Sequence, residues 1–409
     1  MANIVPMVSV PSTSERSGRR AAGQVLRLTR IELENWRNFQ RAAVDLSRRA
    51  FIVGPNASGK SNFLDAFRFL NEIVSVGGGL QAAISQRGGI SRLRSLLARQ
   101  NSDIVLRTTL GTDEDPRRWQ YELVFNLSSR AARAVPVVKM ERAWRDGELV
   151  LDRPDDSDKI DRIRLRQTAL EQIAANVEFR PIADLFQSIR YLHIVPQLVR
   201  DPDRSVGRLD DPYGGDFLET IARTPKREQE TRLKRITDAL KIAVPQLADL
   251  KLERDKASGK PHLIGKYAHW RPQGAWQRED QFSDGTLRLI GLLWAILDVR
   301  GPLLLEEPEL SLNEAIVRQI PSFIYRMQQR SGRQVLLSTH ADEMFIDSGI
   351  GADEVLLIRP TPDGSTIVSG ATVDKVRAVL QAGDTLAEAL RPLVKPPKLD
   401  QLSLFAPLE

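Results

Sequence analysis

Four short stretches of this chain hold residue types suited to phosphate chemistry. The first, GPNASGKS (54–61), fits the spacing G-x-x-x-x-G-K-[ST] in full. Gly54 and Gly59 free backbone N–H groups to turn toward phosphate oxygens, with Pro55, Asn56, Ala57 and Ser58 forming the loop between them. Lys60 can reach the β- and γ-phosphates, and Ser61 can ligate Mg2+. The apolar run RAFIV (49–53) precedes the loop and the helical pattern NFLDAFRFLNEIV (62–74) follows it. A helix starting there would present the positive end of its dipole to an anion. A plain glycine-rich turn would need neither flank.

The second stretch, PLLLEEPE (302–309), is an apolar strand ending in carboxylates. Ligands in open α/β sheets bind at the carboxyl ends of strands. Glu306 is therefore expected to hold a hydrated Mg2+, and Glu307 to orient or deprotonate an attacking water. The third, VLLSTH (335–340), ends another buried strand in small hydroxyls and His340, which can contact a γ-phosphate and position water. The fourth, QFSDGTLRLI (281–290), sets a polar Ser-Asp-Gly corner before the apolar run Leu289–Leu297. Serine and aspartate are favoured helix caps. The same corner also offers free N–H groups and partial positive charge.

The elements that must position these residues follow from the pattern around them. VLRLTRIEL (25–33) and AAVDL (42–46) read as strands on either side of the loop ENWRNFQR. IVLRTTL (104–110), WQYELVFN (119–126), VVKMERAW (137–144) and ELVLD (148–152) read as an antiparallel meander, with an Asp-Gly turn in RDGE (145–148). Residues 158–190 and 226–246 read as helices, and 199–216 as a Pro/Gly/Asp loop. PLLLEE, RQVLLS and DEVLLIR alternate with helical segments, as a parallel sheet requires. TPDGST (361–366) turns the last of these into a hairpin.

Composition narrows the function classes. The 409 residues carry 59 Lys and Arg against 53 Asp and Glu, a net charge of +6 that permits nucleic acid as a partner without requiring it. There is no cysteine, which excludes disulfides and thiolate chemistry and fits a reducing, cytoplasmic setting. The four histidines, His193, His262, His269 and His340, are too widely spaced to suggest a histidine-based metal cluster. The run 289–297 is too short to span a bilayer, and MANIVPMVSV lacks the basic start of a signal peptide.

Taken together and in this order, P-loop, SDGT cap, LLLEEPE and STH resemble the ABC-type ATPases of the RecF/SMC group. The likeness is greatest to the compact AAA-type, OLD-like ATPases, in which SDGTLR and EEPE are typical. It runs from about residue 27 to about residue 390 and includes the RNF loop before the P-loop and YGGDFLETI (213–221). It implies an α/β P-loop NTPase fold of ABC/SMC-head type, a mixed sheet with an antiparallel β lobe and a helical lobe. The corresponding divisions are a tail (1–24), an N-lobe (25–111), an inserted meander and helical lobe (112–280), a C-lobe (281–390) and a C-terminal tail (391–409).

The resemblance further implies ATP and Mg2+ as cofactors, ATP hydrolysis, and an ATP-dependent homodimer. Ser283 and Gly285 would complete the site of a second copy, while Arg37 and Asn38 would lie near the nucleotide. Gln86 matches the Q-loop glutamine at an irregular spacing, and ELSLNE (309–314) matches the D-loop with Asn313 where relatives carry histidine. Lys60 and Ser283 are 223 positions apart, too few for a long coiled-coil arm. The 69 residues after His340 hold no Asp/Glu-rich cluster, so a fused nuclease domain is not expected. The setting implied is DNA repair or defence against mobile DNA, with a separately encoded effector and DNA as a possible ligand.

QLSLF (401–405) is similar to the sliding-clamp-binding motif, with Gln401, Leu402, Leu404 and Phe405 as contacts. Three alternatives stay open: a nucleotide-gated scaffold with little turnover, an energiser of a transporter, and a replication-associated factor tethered by this tail.

Overall fold

The computed structural model describes residues 25–98, 102–129, 134–201, 211–268, 275–298 and 300–395. His269 and the QLSLF pentapeptide lie outside them. In chain order the strands begin with β1 (Arg27–Trp36), β2 (Phe39–Asp45), β3 (Arg49–Val53), β4 (Ile104–Gly111) and β5 (Trp119–Leu127). Next come β6 (Pro136–Arg145), β7 (Glu148–Arg153), β8 (Arg190–Leu192), β9 (Leu247–Arg254) and β10 (Pro261–Tyr267). The last are β11 (Ala275–Arg278), β12 (Leu303–Glu306), β13 (Val335–Ser338), β14 (Val355–Thr361) and β15 (Gly364–Ser369).

The short apolar runs form a central sheet ordered β15-β14-β3-β13-β12-β8. Its inner strands are parallel, with Leu303 opposite Val335, Leu336 opposite Ala50 and Val355 opposite Phe51; β15 returns antiparallel on the edge. Side chains alternate across a strand, so each run is divided between two cores. Ala50, Ile52, Leu304, Leu336 and Leu356 join Phe63, Phe67 and Leu70 of helix Lys60–Val74 on one face. Phe51, Val53, Leu303, Leu305, Val335 and Leu337 meet helices Ile320–Ser331 and Leu386–Val394 on the other. Each such Leu or Phe contributes about 1.5–3 kcal/mol on burial. With both faces covered, function is left to the strand ends.

A second sheet, β2-β1-β4-β5-β6-β7, is antiparallel throughout and shares the first core. Asp146 and Gly147 supply the two left-handed residues (φ 52° and 86°) of the β6–β7 hairpin. The boundary expected at 111/112 is therefore corrected: β4 pairs with β1 on one edge and β5 on the other, so the meander continues the N-lobe sheet. A smaller sheet, β11-β10-β9, packs with helix Lys226–Ala243 against one side of helix Asp284–Leu297. The opposite side of that helix, Leu292 and Ile296, faces the second core. Its apolar run is continuous because it is buried all round.

Residues 158–190, expected to be helical throughout, break into short turns followed by helix Arg180–Ser188. In the first helix there, Asp156–Ile160, Asp158 is drawn inward by Arg153. No helix among the described residues is long and apolar enough to cross a membrane.

Candidate functional site

Four strands of the central sheet deliver polar residues to one edge, at their carboxyl ends. β3 runs into the P-loop. There Gly59 adopts φ 108°, and a Cβ on it would fall 2.1 Å from the Asn38 amide nitrogen, so only glycine fits. The Asn38 amide donates to the Ser58 carbonyl (2.7 Å) and to Ser365 Oγ (2.7 Å); Ser365 in turn donates to Ser58 O (2.6 Å). Asn38 thus braces the loop through its main chain. Asn56 and Ala57 form its exposed tip. Lys60 Nζ curls onto the carbonyls of Gly54 (3.0 Å) and Pro55 (3.3 Å). Burial pushes its ammonium below the usual lysine range, against the pull of Glu307, Glu309 and Glu306.

β12 brings the acidic pair. Ser61 Oγ donates to Glu306, so the two expected cation ligands are in direct contact across 245 residues. Burial raises the Glu306 carboxyl above its usual range, and neighbouring Glu307 adds to the rise. Glu307 occupies the left-handed region at φ 43° and is anchored by its N–H to Ser338 O (3.0 Å). Its carboxylate lies 3.1 Å from His340 Nε2. That hydrogen bond, more than any other influence, holds Glu307 below the usual range, with charge from Lys60 and His193 adding to it. Two adjacent carboxyls are thereby driven in opposite directions, the pattern that separates acid, base and ligand roles.

Two further residues belong here that the sequence reading passed over. His193, just after β8, sets Nδ1 3.1 Å from the Glu306 carbonyl, so two of the four scattered histidines converge on the acidic turn. Like STH, YLH sets a histidine within two residues of the end of a short strand, and that was the available signal. Glu309 is 8% exposed and accepts from Thr339 Oγ1 (2.7 Å) and from the His340 N–H (2.9 Å) through Oε1.

The Ser-Asp-Gly corner forms an N-cap, as its composition suggests. Ser283 Oγ accepts from Thr286 N (3.2 Å), while Ser283 itself is exposed. Asp284 pairs with Arg200 (2.6 Å) of the same chain. A Cβ on Gly285 would sit 2.4 Å from Ser311 O, so glycine lets the cap touch the D-loop segment. Asn313 caps the next short helix through Ala315 N (2.9 Å). Arg37, at φ 54°, turns toward Asp65 of the P-loop helix (3.0 Å). Gln86 is exposed at the end of its helix; its neighbour Arg87 is the buried one and grips Asp65 (2.7 Å).

The residues fit a nucleotide and a divalent cation. Among the described residues, the buried side-chain atoms without a partner include Ser58 Oγ in the P-loop, Ser338 Oγ at the end of β13, Glu309 Oε2 and Arg288 Nε. Buried polar groups are normally paired. Arg37 Nε, Thr108 Oγ1 and Arg333 Nη2 are unpartnered as well, but the first four lie on the segments that carry a lysine, a helix N-terminus and a serine–glutamate pair. That is the donor set for phosphate, together with the oxygen ligands that Mg2+ takes.

The architecture is a P-loop ATPase fold of ABC/SMC-head type. The SmcHead bound to the C-winged helix domain of ScpA superimposes with a TM-score of 0.50 at 15% identity, covering 84% of this chain and 97% of that one. An Smc head with an extended coiled coil from Pyrococcus furiosus, bound to the C-terminal domain of ScpA, gives 0.49 at 14%, over 88% and 99%. No curated protein matches the sequence. Residues 49–346 match the family described as "AAA domain, putative AbiEii toxin, Type IV TA system", and the chain belongs to that family.

Proposed function

We propose that this protein hydrolyses ATP with Mg2+ and that ATP joins two copies head to head. The observation that carries this reading is the convergence of Lys60, Ser61, Glu306, Glu307 and His340 on one sheet edge. Lys60, released from its two carbonyls, neutralises the β- and γ-phosphates. Ser61 and Glu306 hold the cation, which supplies charge neutralisation at the phosphoryl oxygens. Glu307, kept ionised by His340, orients the water in line with the γ-phosphorus. Exposed Ser283 caps a helix whose remaining turns are largely buried, leaving its donors for the γ-phosphate held by a second copy.

The test is the Glu307→Gln variant, which traps the bound state. With ATP and Mg2+ it is expected to run as a dimer by light scattering, and without nucleotide as a monomer. A monomer across a broad concentration range under saturating ATP would sink the shared site. Phosphate release from the unsubstituted protein separates an ATPase from a nucleotide-gated scaffold.

The setting we infer is DNA repair or defence against mobile DNA, with an effector carried by another chain. A toxin is named in the description of the family, which favours defence. Residues 217–268 hold twelve Lys and Arg against seven Asp and Glu, and half-exposed Trp276 carries Lys251 Nζ 4.0 Å from its ring centre. Basic surface beside an exposed aromatic suits nucleic acid. Clamp binding through residues 401–405 stands on the pentapeptide alone; equal recovery of the clamp after its deletion would end that idea.

A further inference from the structure

The geometry points to Glu309 as a positioning residue that sets the His340–Glu307 pair from behind; this rests on the ATPase reading above. Three observations meet at this residue. Oε1 takes two donors from the turn after β13, Thr339 Oγ1 and the His340 N–H, so one carboxyl oxygen fixes where His340 leaves the sheet. Thr339 Oγ1 itself accepts from Ala341 N (2.9 Å), which ties the following residue to the same anchor. The main chain of Glu309 serves the other side. Its carbonyl accepts from Leu312 N (3.0 Å), closing the D-loop turn whose Ser311 carbonyl lies against Gly285.

Glu309 is therefore the node between the catalytic turn, the histidine turn and the cap of helix Asp284–Leu297. The positioning runs through Oε1 alone; Oε2 has no partner among the described residues. The contacts of Glu309 run through backbone and hydroxyl groups, and a backbone donor held by a buried acceptor is hard to move. His340 Nε2 reaches Glu307 at 3.1 Å only if the His340 backbone stays where Glu309 holds it. A shift of about 1 Å at that point can cost about a hundredfold in rate.

Glu309→Ala and Glu309→Gln separate this from a general loss of structure. Glutamine keeps an oxygen that can accept both bonds; alanine removes it. Glu309→Ala is expected to lower kcat at least about tenfold while KM for ATP moves less than about threefold. Glu309→Gln is expected to restore most of the loss. Equal inactivity of both variants, unchanged kcat in Glu309→Ala, or a KM rise that accounts for the whole loss would each overturn the assignment.

A second readout does not depend on turnover. With only four histidines, the imidazole 13C resonance of His340 can be identified by its absence in His340→Gln. Glu307→Gln and Glu309→Ala should both displace it, Glu309→Gln should not, and His262, remote from the acidic turn and paired with Glu279, should stay in place as a check on folding. If the unsubstituted protein releases no phosphate, the ATPase reading fails, while this resonance still decides whether Glu309 positions His340. A His340 signal indifferent to Glu309→Ala defeats the proposal even in an active enzyme.

Discussion

Two clusters of buried charge in this chain obey opposite rules. In the antiparallel sheet, Glu141 is fully buried and accepts four donors: Tyr121 OH (2.9 Å), Arg153 Nη1 (2.9 Å), Ala169 N (2.7 Å) and Leu170 N (3.1 Å). Asp158, also fully buried, takes Arg153 on both oxygens (2.8 and 2.9 Å), Arg164 Nε (3.0 Å) and Asp155 N (3.1 Å). Every carboxylate oxygen there is satisfied. At the end of the parallel sheet, Glu309 Oε2, Arg288 Nε, Ser58 Oγ and Ser338 Oγ have no partner among the described residues. Burial presses the Arg288 guanidinium and the Lys60 ammonium below their usual ranges and lifts Glu306 and Glu309 above theirs. A closed cluster ties segment 155–171 to its sheet. An open one keeps its charges for something that arrives.

The comparison breaks most visibly on Glu307 and Arg153. Glu307→Gln should reduce ATP turnover by about 10²–10⁴-fold. Its unfolding free energy in urea without nucleotide should stay within about 1 kcal/mol of the original. Arg153→Ala should do the reverse. Stranding two buried carboxylates costs about 3–5 kcal/mol in urea, with turnover per folded molecule little changed. A Glu307→Gln protein that loses stability in step with activity would erase the distinction.

Ligand linkage is the next largest effect. ATP with Mg2+ at 100 times its dissociation constant should stabilise the protein by about 2.7 kcal/mol. Lys60→Ala should abolish that gain, and Arg153→Met should keep it on a lower baseline. Thermal melts with and without nucleotide read both.

The smallest effect is in pH dependence, and one residue from each cluster, Glu309 and Asp158, should give opposite signs. Burial lifts Glu309 above the glutamate range, so the folded form binds its proton more readily than the unfolded one. Its contribution is present at low pH and lost as pH rises through the raised value. The stability of the unsubstituted protein relative to Glu309→Gln should therefore fall over that interval. Arg153 holds Asp158 well below the aspartate range, so its contribution is present above that range and lost as pH falls. Stability relative to Asp158→Asn should accordingly rise with pH, with a slope of at most about 1.4 kcal/mol per pH unit in either case. Parallel slopes would contradict the directions given for these two carboxyls.

The sequence by itself determined the phosphate cradle, the acidic strand end, the histidine strand end and the Ser-Asp-Gly cap. Each is a contiguous run whose chemistry and flanking period can be read locally. It also determined the parallel strands, because β3, β12, β13 and β14 are short apolar runs with no polar alternation. Tertiary structure decided what depends on who stands opposite whom. Sheet order set His193 beside the Glu306 carbonyl, made Asn38 a brace for the P-loop backbone, and brought Thr339 and His340 onto Glu309. It also joined the meander to the N-lobe sheet and divided residues 158–190 into short turns and a helix. These are contacts across tens to hundreds of residues. Local propensity carries no information about them, since each is fixed only when packing chooses the neighbouring strand.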